Sequence, residues 1–146
     1  MTERPLPHPS ALPLPHPSAV PLPRPSALTQ PHWDGCLAGE LRVQRCRDCG
    51  AHVFIPQPLC SACFDGTLEW VVSAGHGTVY SFTIVHRAPH PAFTTPYVVA
   101  IVTLDEGFEM LANLECEPAA AVIGMRVRVL FRRASAEIAL PCFIAL

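Results

Sequence analysis

CRDCG at residues 46–50 and CSACFDG at residues 60–66 decide how this chain folds. Each Cys-x-x-Cys sets two thiolates on one side of a tight turn. Two such turns facing each other put four sulfurs, from Cys46, Cys49, Cys60 and Cys63, at the corners of a tetrahedron that a structural zinc ion accepts. Gly50 and Gly66 follow the two pairs closely; glycine takes the positive φ a reversal needs and lets backbone N–H groups aim at sulfur. Only ten residues separate the pairs, fewer than in a representative ribbon, but each pair is intact.

Two disulfides or a redox-active pair are the rival uses of these cysteines. Nothing in the sequence marks export to an oxidising compartment, and a redox pair occurs once, at a strand-to-helix junction, rather than as two matched turns. Metal is the favoured reading. With thiolate at all four positions no coordination site stays open, so the ion holds structure and does no chemistry. Zinc is expected, and iron suits the same ligand set.

Around the cysteines the pattern is β. Glu40–Arg45 and His52–Ile55 read as strands flanking the first turn, and Leu68–Val72 takes the chain out of the second. Residues 40–72 form a ribbon too small to build its own core, so the metal supplies the missing stability. Before it, residues 31–39 (PHWDGCLAG) read as a short helix, with proline near its start and Gly39 as its stop. Trp33 and Leu37 lie four apart on one helix face, an arrangement for packing on a neighbouring surface or for docking a partner protein. Residues 5–28 are three octads, PLPHPSAL, PLPHPSAV and PLPRPSAL. Alternating proline removes backbone donors, so residues 1–30 are expected to be disordered, and His8 and His16 recur only because the octad does.

Downstream, residues 73–146 read as a barrel. In Thr78–Val85, Tyr80, Phe82 and Ile84 share one face at period two. Tyr97–Leu104 is apolar on both faces, and Asp105-Glu106-Gly107 turns it into Phe108–Glu115, with Phe108, Met110, Ala112 and Leu114 inward. Glu117–Gly124 carries the proline, alanine and glycine of a short helix, and strands Arg126–Phe131 and Ala136–Phe143 follow. Three strands, a short helix and two strands is the order of an OB-fold, so the expected class is mainly β: a short helix, a rubredoxin-like zinc ribbon and a five-stranded OB-fold barrel.

Half of the 146 residues are hydrophobic, 15% are charged, and the net charge is −2. From residue 29 onward eight arginines face eleven acids, which argues against a nucleic-acid footprint. No apolar run has membrane-spanning length and no secretory leader is visible, so a cytoplasmic protein with no membrane contact is expected.

LRVQRCRDCGAHVFIPQPLCSACFDGTLEWVVSAGHGTVYSFTIVHRAPHPAF at residues 41–93, PYVVAIVTLDEG at residues 96–107 and IGMRVRVLF at residues 123–131 together resemble a known family. It is the rubredoxin-like zinc ribbon plus OB-fold family associated with acyl-CoA metabolism, once catalogued as a domain of unknown function. The resemblance covers residues 31–146 and leaves the octads outside. It implies a non-catalytic accessory subunit of a thiolase-like enzyme or aldolase, or of a MaoC-like enoyl-CoA hydratase, that helps shape or bridge the acyl-CoA site in lipid, steroid or polyketide-type metabolism. For that role the loop after Val85 carries the most chemistry: Arg87 for phosphate, His86 and His90 as imidazoles, and Phe93 to stack on adenine. Arg126, Arg128, Arg132 and Arg133 form a second basic stretch. No catalytic constellation is apparent, so activity is expected to reside in the partner chain. The other classes to weigh are a nucleic-acid-binding ribbon and barrel, which lacks a basic groove, and a rubredoxin-like electron carrier, which requires iron.

Overall fold

The computed structural model describes residues 21–146; the octads up to residue 20, with the disorder expected of them, lie outside the described residues. Ser26 and Thr29 close a hydrogen-bonded turn that leads into α1, Gln30–Ala38. Gly39 ends α1 at φ 78, its N–H donating to the Cys36 carbonyl at 3.2 Å, while Glu40 N–H reaches the Gly35 carbonyl at 2.8 Å. The buried stripe of α1 is His32, Gly35 and Cys36, with Trp33 and Leu37 half-buried beside it. Gly35 lets the helix lie close: a Cβ there would stand 2.6 Å from Arg42 Cγ.

Strands β1 (Leu41–Cys46), β2 (His52–Val53) and β3 (Leu68–Ser73) make an antiparallel sheet in the order β2-β1-β3. Five further strands close a barrel: β4 (His76–Val85), β5 (Tyr97–Leu104), β6 (Glu109–Leu114), β7 (Arg126–Arg133) and β8 (Ala139–Ala145). Its order is β4-β5-β6-β8-β7, with β7 paired back to β4 and only β6 and β8 parallel. That is the expected OB topology. Val98, Ala100, Val102 and Leu104 point inward from β5 and meet Phe108, Met110 and Leu114, as alternation predicts. Leu41 and Val43 of β1 join the same cluster, so ribbon and barrel share one hydrophobic core.

The hinge between them is tied down. Glu106, in the β5–β6 turn, accepts from Ser73 Oγ at 2.8 Å and from the Ala74 N–H at 2.7 Å. Gly75 and Gly77 then admit β7 and β5 closely; a Cβ on Gly75 would fall 2.3 Å from Val129 Cγ1.

Three expectations need correction. Tyr80 does not share the inward face of Phe82 and Ile84. A bulge between Val79 and Ser81 turns Val79 into the core and leaves Tyr80 63% exposed. The segment Glu117–Gly124 is no α-helix but a single 3-10 turn, Pro118–Ala120. One cause accounts for both: Val79 donates to the Met125 carbonyl at 2.9 Å, and Gly124 donates to the Val79 carbonyl at 2.8 Å. Those bonds claim the backbone of the would-be helix end and hold the bulge open. Finally, β8 begins at Ala139 rather than Ala136, because Ser135 Oγ accepts from the N–H groups of Glu137 and Ile138 and builds the preceding turn.

Candidate metal centre and the cleft beside it

The ribbon brings all four predicted cysteines together. Their Sγ atoms lie within 4.8 Å of one another, with Cys49–Cys60 at 3.6 Å and Cys46–Cys63 at 3.8 Å. A tetrahedron of thiolates about 2.3 Å from a central zinc has edges of about 3.8 Å, so the spacing fits the ion. The same distances are far beyond an S–S bond of about 2.05 Å, and all four thiols are free. Both turns use left-handed backbone. Gly50 has φ 75, Phe64 occupies the matching place after the second pair at φ 60, and Gly66 has φ 86. A Cβ on Gly66 would stand 2.7 Å from Cys46 Sγ and 3.4 Å from Cys63 Sγ, so the cradle admits only glycine there. The Ala62 N–H donates to Cys60 Sγ at 3.4 Å.

The cluster does not carry four negative charges unaided. The backbone at Cys63 and Ala62, with the thiols of Cys49 and Cys63, pulls Cys60 down to about 7. Against the lowering contact with the Asp65 backbone, desolvation and the other three thiols push Cys63 up to about 12. A divalent cation is the charge that lets all four ionise together.

A cleft of about 570 Å³ lies between α1, the chain after β2, and strands β6 and β8. Trp33, Phe54, Ile55, Leu111 and Leu140 give it an apolar lining, and Glu109 stands at it with a carboxylate. Ile55 is 67% and Leu111 68% exposed. The loop behind Ile55 is fixed by Gln44, buried in β1, whose Oε1 accepts the Gln57 N–H at 2.7 Å. Beneath the cleft, His32 Nδ1–H donates to the Arg42 carbonyl at 2.9 Å, which leaves Nε2 to accept from the Cys36 thiol at 3.7 Å. Burial pushes Cys36 up to about 12 and holds His32 below its ordinary value, so the pair is neutral and makes no thiolate nucleophile.

The loop with His86, Arg87, His90 and Phe93 lies after β4 and contributes to neither the cysteine cluster nor the cleft. His86 and Arg87 are exposed. Phe93 stacks on Tyr97 with centroids 5.8 Å apart and meets His90 edge-on at 6.5 Å. The arginines of β7 are less available than their spacing suggests. Arg126 binds Asp105 through two bonds of 2.7 and 2.8 Å, and Arg132 pairs with Glu115. Each arginine holds its carboxylate below the usual range. The cleft itself escapes sequence reasoning, although Leu111, apolar at an outward position of β6, was its signal.

A four-cysteine ribbon sharing its core with a closed five-stranded barrel defines a zinc-ribbon and OB-fold protein. Family models agree along the chain: "ChsH2, rubredoxin-like zinc ribbon domain" matches residues 33–69 and "ChsH2, C-terminal OB-fold domain" matches residues 70–132. The chain belongs to this ChsH2, or DUF35, family. It is 42% identical over 106 residues to a probable enoyl-CoA hydratase alpha subunit of Thermomonospora curvata, a match covering 70% of this chain and 33% of that protein. It is 37% identical over 101 residues to a DUF35 domain-containing scaffold protein of Methanocaldococcus jannaschii, covering 67% of this chain and 69% of the other. Among solved structures, one described as an Ltp2-ChsH2(DUF35) aldolase superposes with TM-score 0.77 at 35% identity, covering 85% of this chain and 98% of that one. The chain thus spans about a third of the hydratase subunit and most of the aldolase-associated chain. Among the described residues no helix is long and apolar enough to cross a membrane.

Proposed function

We propose that this chain is an accessory subunit that docks on an acyl-CoA enzyme, a thiolase-like protein or aldolase or an enoyl-CoA hydratase, and borders its acyl-CoA site. The observation that carries the reading is the apolar cleft with Trp33 at its edge, on a chain whose relatives are named as a hydratase subunit, a scaffold and an aldolase component. An exposed apolar surface of this kind suits a protein partner. Cys46, Cys49, Cys60 and Cys63 hold structural zinc and keep the ribbon rigid under the cleft. Trp33 and Leu37 of α1 contribute to docking.

The loop after β4 is the candidate for coenzyme A. Tyr97 supports one face of Phe93, leaving the other for an adenine ring, and Arg87 has no acidic partner among the described residues. His86 and His90 add donors for phosphate oxygens. The pairing of Arg126 and Arg132 with acids weighs against a nucleic-acid surface on β7.

The test is co-expression with a thiolase-like or hydratase-like enzyme of the proposed class, followed by hydrogen exchange with and without acyl-CoA. A stable complex, with acyl-CoA slowing exchange over residues 86–93, is the expected result. A chain that stays monomeric and shows no acyl-CoA protection would sink the reading.

A further inference from the structure

Strand β6 is closed on one side and open on the other. Its antiparallel register with β5 runs the full strand, from Thr103↔Glu109 to Val98↔Leu114. Its parallel register with β8 covers only Asn113↔Cys142 and Leu114↔Phe143. The phase of the pleat follows from two bonds. Leu104 N–H donates to the Phe108 carbonyl on the β5 side, and Glu115 N–H donates to the Phe143 carbonyl on the β8 side. Odd-numbered residues of β6 therefore aim N–H and C=O away from β5. Asn113 has β8 to meet, whereas Glu109 and Leu111 have no strand partner among the described residues on that side.

The ladder stops for a local reason. One step back along β8 from Cys142 is Pro141, at the place that would donate to the Leu111 carbonyl, and proline has no N–H. The cleft sits against this opened edge, lined by Trp33 of α1, by Phe54 and Ile55 after β2, by Leu111 of β6 and by Leu140 of β8. Unpaired backbone groups beside an apolar trough specify an occupant with a backbone to pair and apolar side chains at alternate positions. Glu109 is the acid at the cleft, and no lysine or arginine lines it, so charge complementarity asks for a basic residue at one end of that occupant.

We infer that the open edge of β6 at Glu109–Ala112 receives an extended strand from the partner enzyme, with apolar side chains seated in the cleft and a lysine or arginine facing Glu109. This deepens the accessory-subunit reading and rests on it. Strand addition supplies main-chain hydrogen bonds that a groove for a helix would leave unmade, and the two free groups on Leu111 are its central pair.

The experiment compares amide exchange in the full chain, alone and in complex with the co-expressed enzyme, and adds two variants. Leu111→Pro removes the outward N–H at an edge where proline is tolerated, while Leu111→Ala keeps the backbone and trims the side chain. Exchange at Glu109 and Leu111 should slow on complex formation. Leu111→Pro should weaken the complex by about tenfold or more beyond Leu111→Ala, with unchanged circular dichroism. A complex that forms with unaltered exchange at both residues, or that treats the two variants alike, overturns the strand while leaving the accessory role standing. Failure of the wild-type chain to bind the enzyme removes both. Protection that appears without the enzyme and grows with protein concentration would assign the edge to a second copy, and concentration-independent protection would assign it to this chain's own segment. Either result overturns the inference.

Discussion

At Gly66 the backbone runs at φ 86, and a methyl group would press on two sulfurs of the cluster. Gly66→Ala combines left-handed strain of about 1–2 kcal/mol with displacement of Cys46 Sγ. Its zinc affinity, measured by competition with a chromogenic chelator, should fall at least about tenfold; wild-type affinity would mean the second turn is not shaped around the metal. His32 supplies a pH signature. Burial, opposed by the bond to the Arg42 carbonyl, holds it below its ordinary 6.5. As pH falls through 6.5 the unfolded chain takes up a proton that folded His32 refuses, so the folded state loses stability, and the loss grows until folded His32 itself titrates. His32→Asn keeps a donor for the Arg42 carbonyl and removes the titration. Its melting temperature should decline less than wild type between pH 6.5 and about 5; parallel curves would place the acid sensitivity elsewhere. The cysteines were legible from spacing alone because metal coordination is a local demand on residue type. The partnership of His32 with Arg42 and Cys36 was not, since it depends on how α1 lies across β1.

Among the elements, alternation revealed the inward faces of β5 and β6 because one side of each meets the core. It failed at Tyr80, where the bulge in β4 answers to hydrogen bonds with Gly124 and Met125, residues more than forty positions away. The same distant pairing unmade the expected helix after Glu117. Helix α1 was found from its proline and glycine, yet the stripe it buries begins at His32, not Trp33. That leaves Trp33 at the cleft. Trp33→Ala should leave the melting temperature within about 2 °C of wild type, as a half-buried rim residue, and should weaken co-purification with the enzyme. A large drop in stability with binding intact would make Trp33 a core residue instead. On β7, Arg126→Ala frees Asp105 to return toward the ordinary carboxylate range. The arginine-held carboxylate stabilises the fold above that range and loses its contribution as pH falls through its lowered folded value. The acid limb of the stability curve should therefore flatten in the variant.

For the molecule as a whole, one core runs from Leu41 and Val43 of the ribbon to Phe143 of the barrel. The four-cysteine cluster at the far end of β1 is thus joined to the barrel through the same strand, so an ion bound there would act on the architecture of both parts. Chelation should lower a single thermal transition of the full chain; an upper transition unaffected by chelator would mean the barrel stands alone. The OB order was legible because five strands and an interruption suffice to suggest it. Its open edge was not, because it depends on the neighbouring β8 carrying Pro141 where the β6–β8 ladder would continue. The most direct measurement is native mass spectrometry of the full chain co-expressed with a thiolase-like or hydratase-like enzyme of the proposed class, for wild type and Cys49→Ser. The account predicts a complex carrying one zinc per copy of this chain, and loss of both metal and complex in the variant. A Cys49→Ser chain that keeps zinc and partner, or a wild-type chain that binds no enzyme, would contradict it.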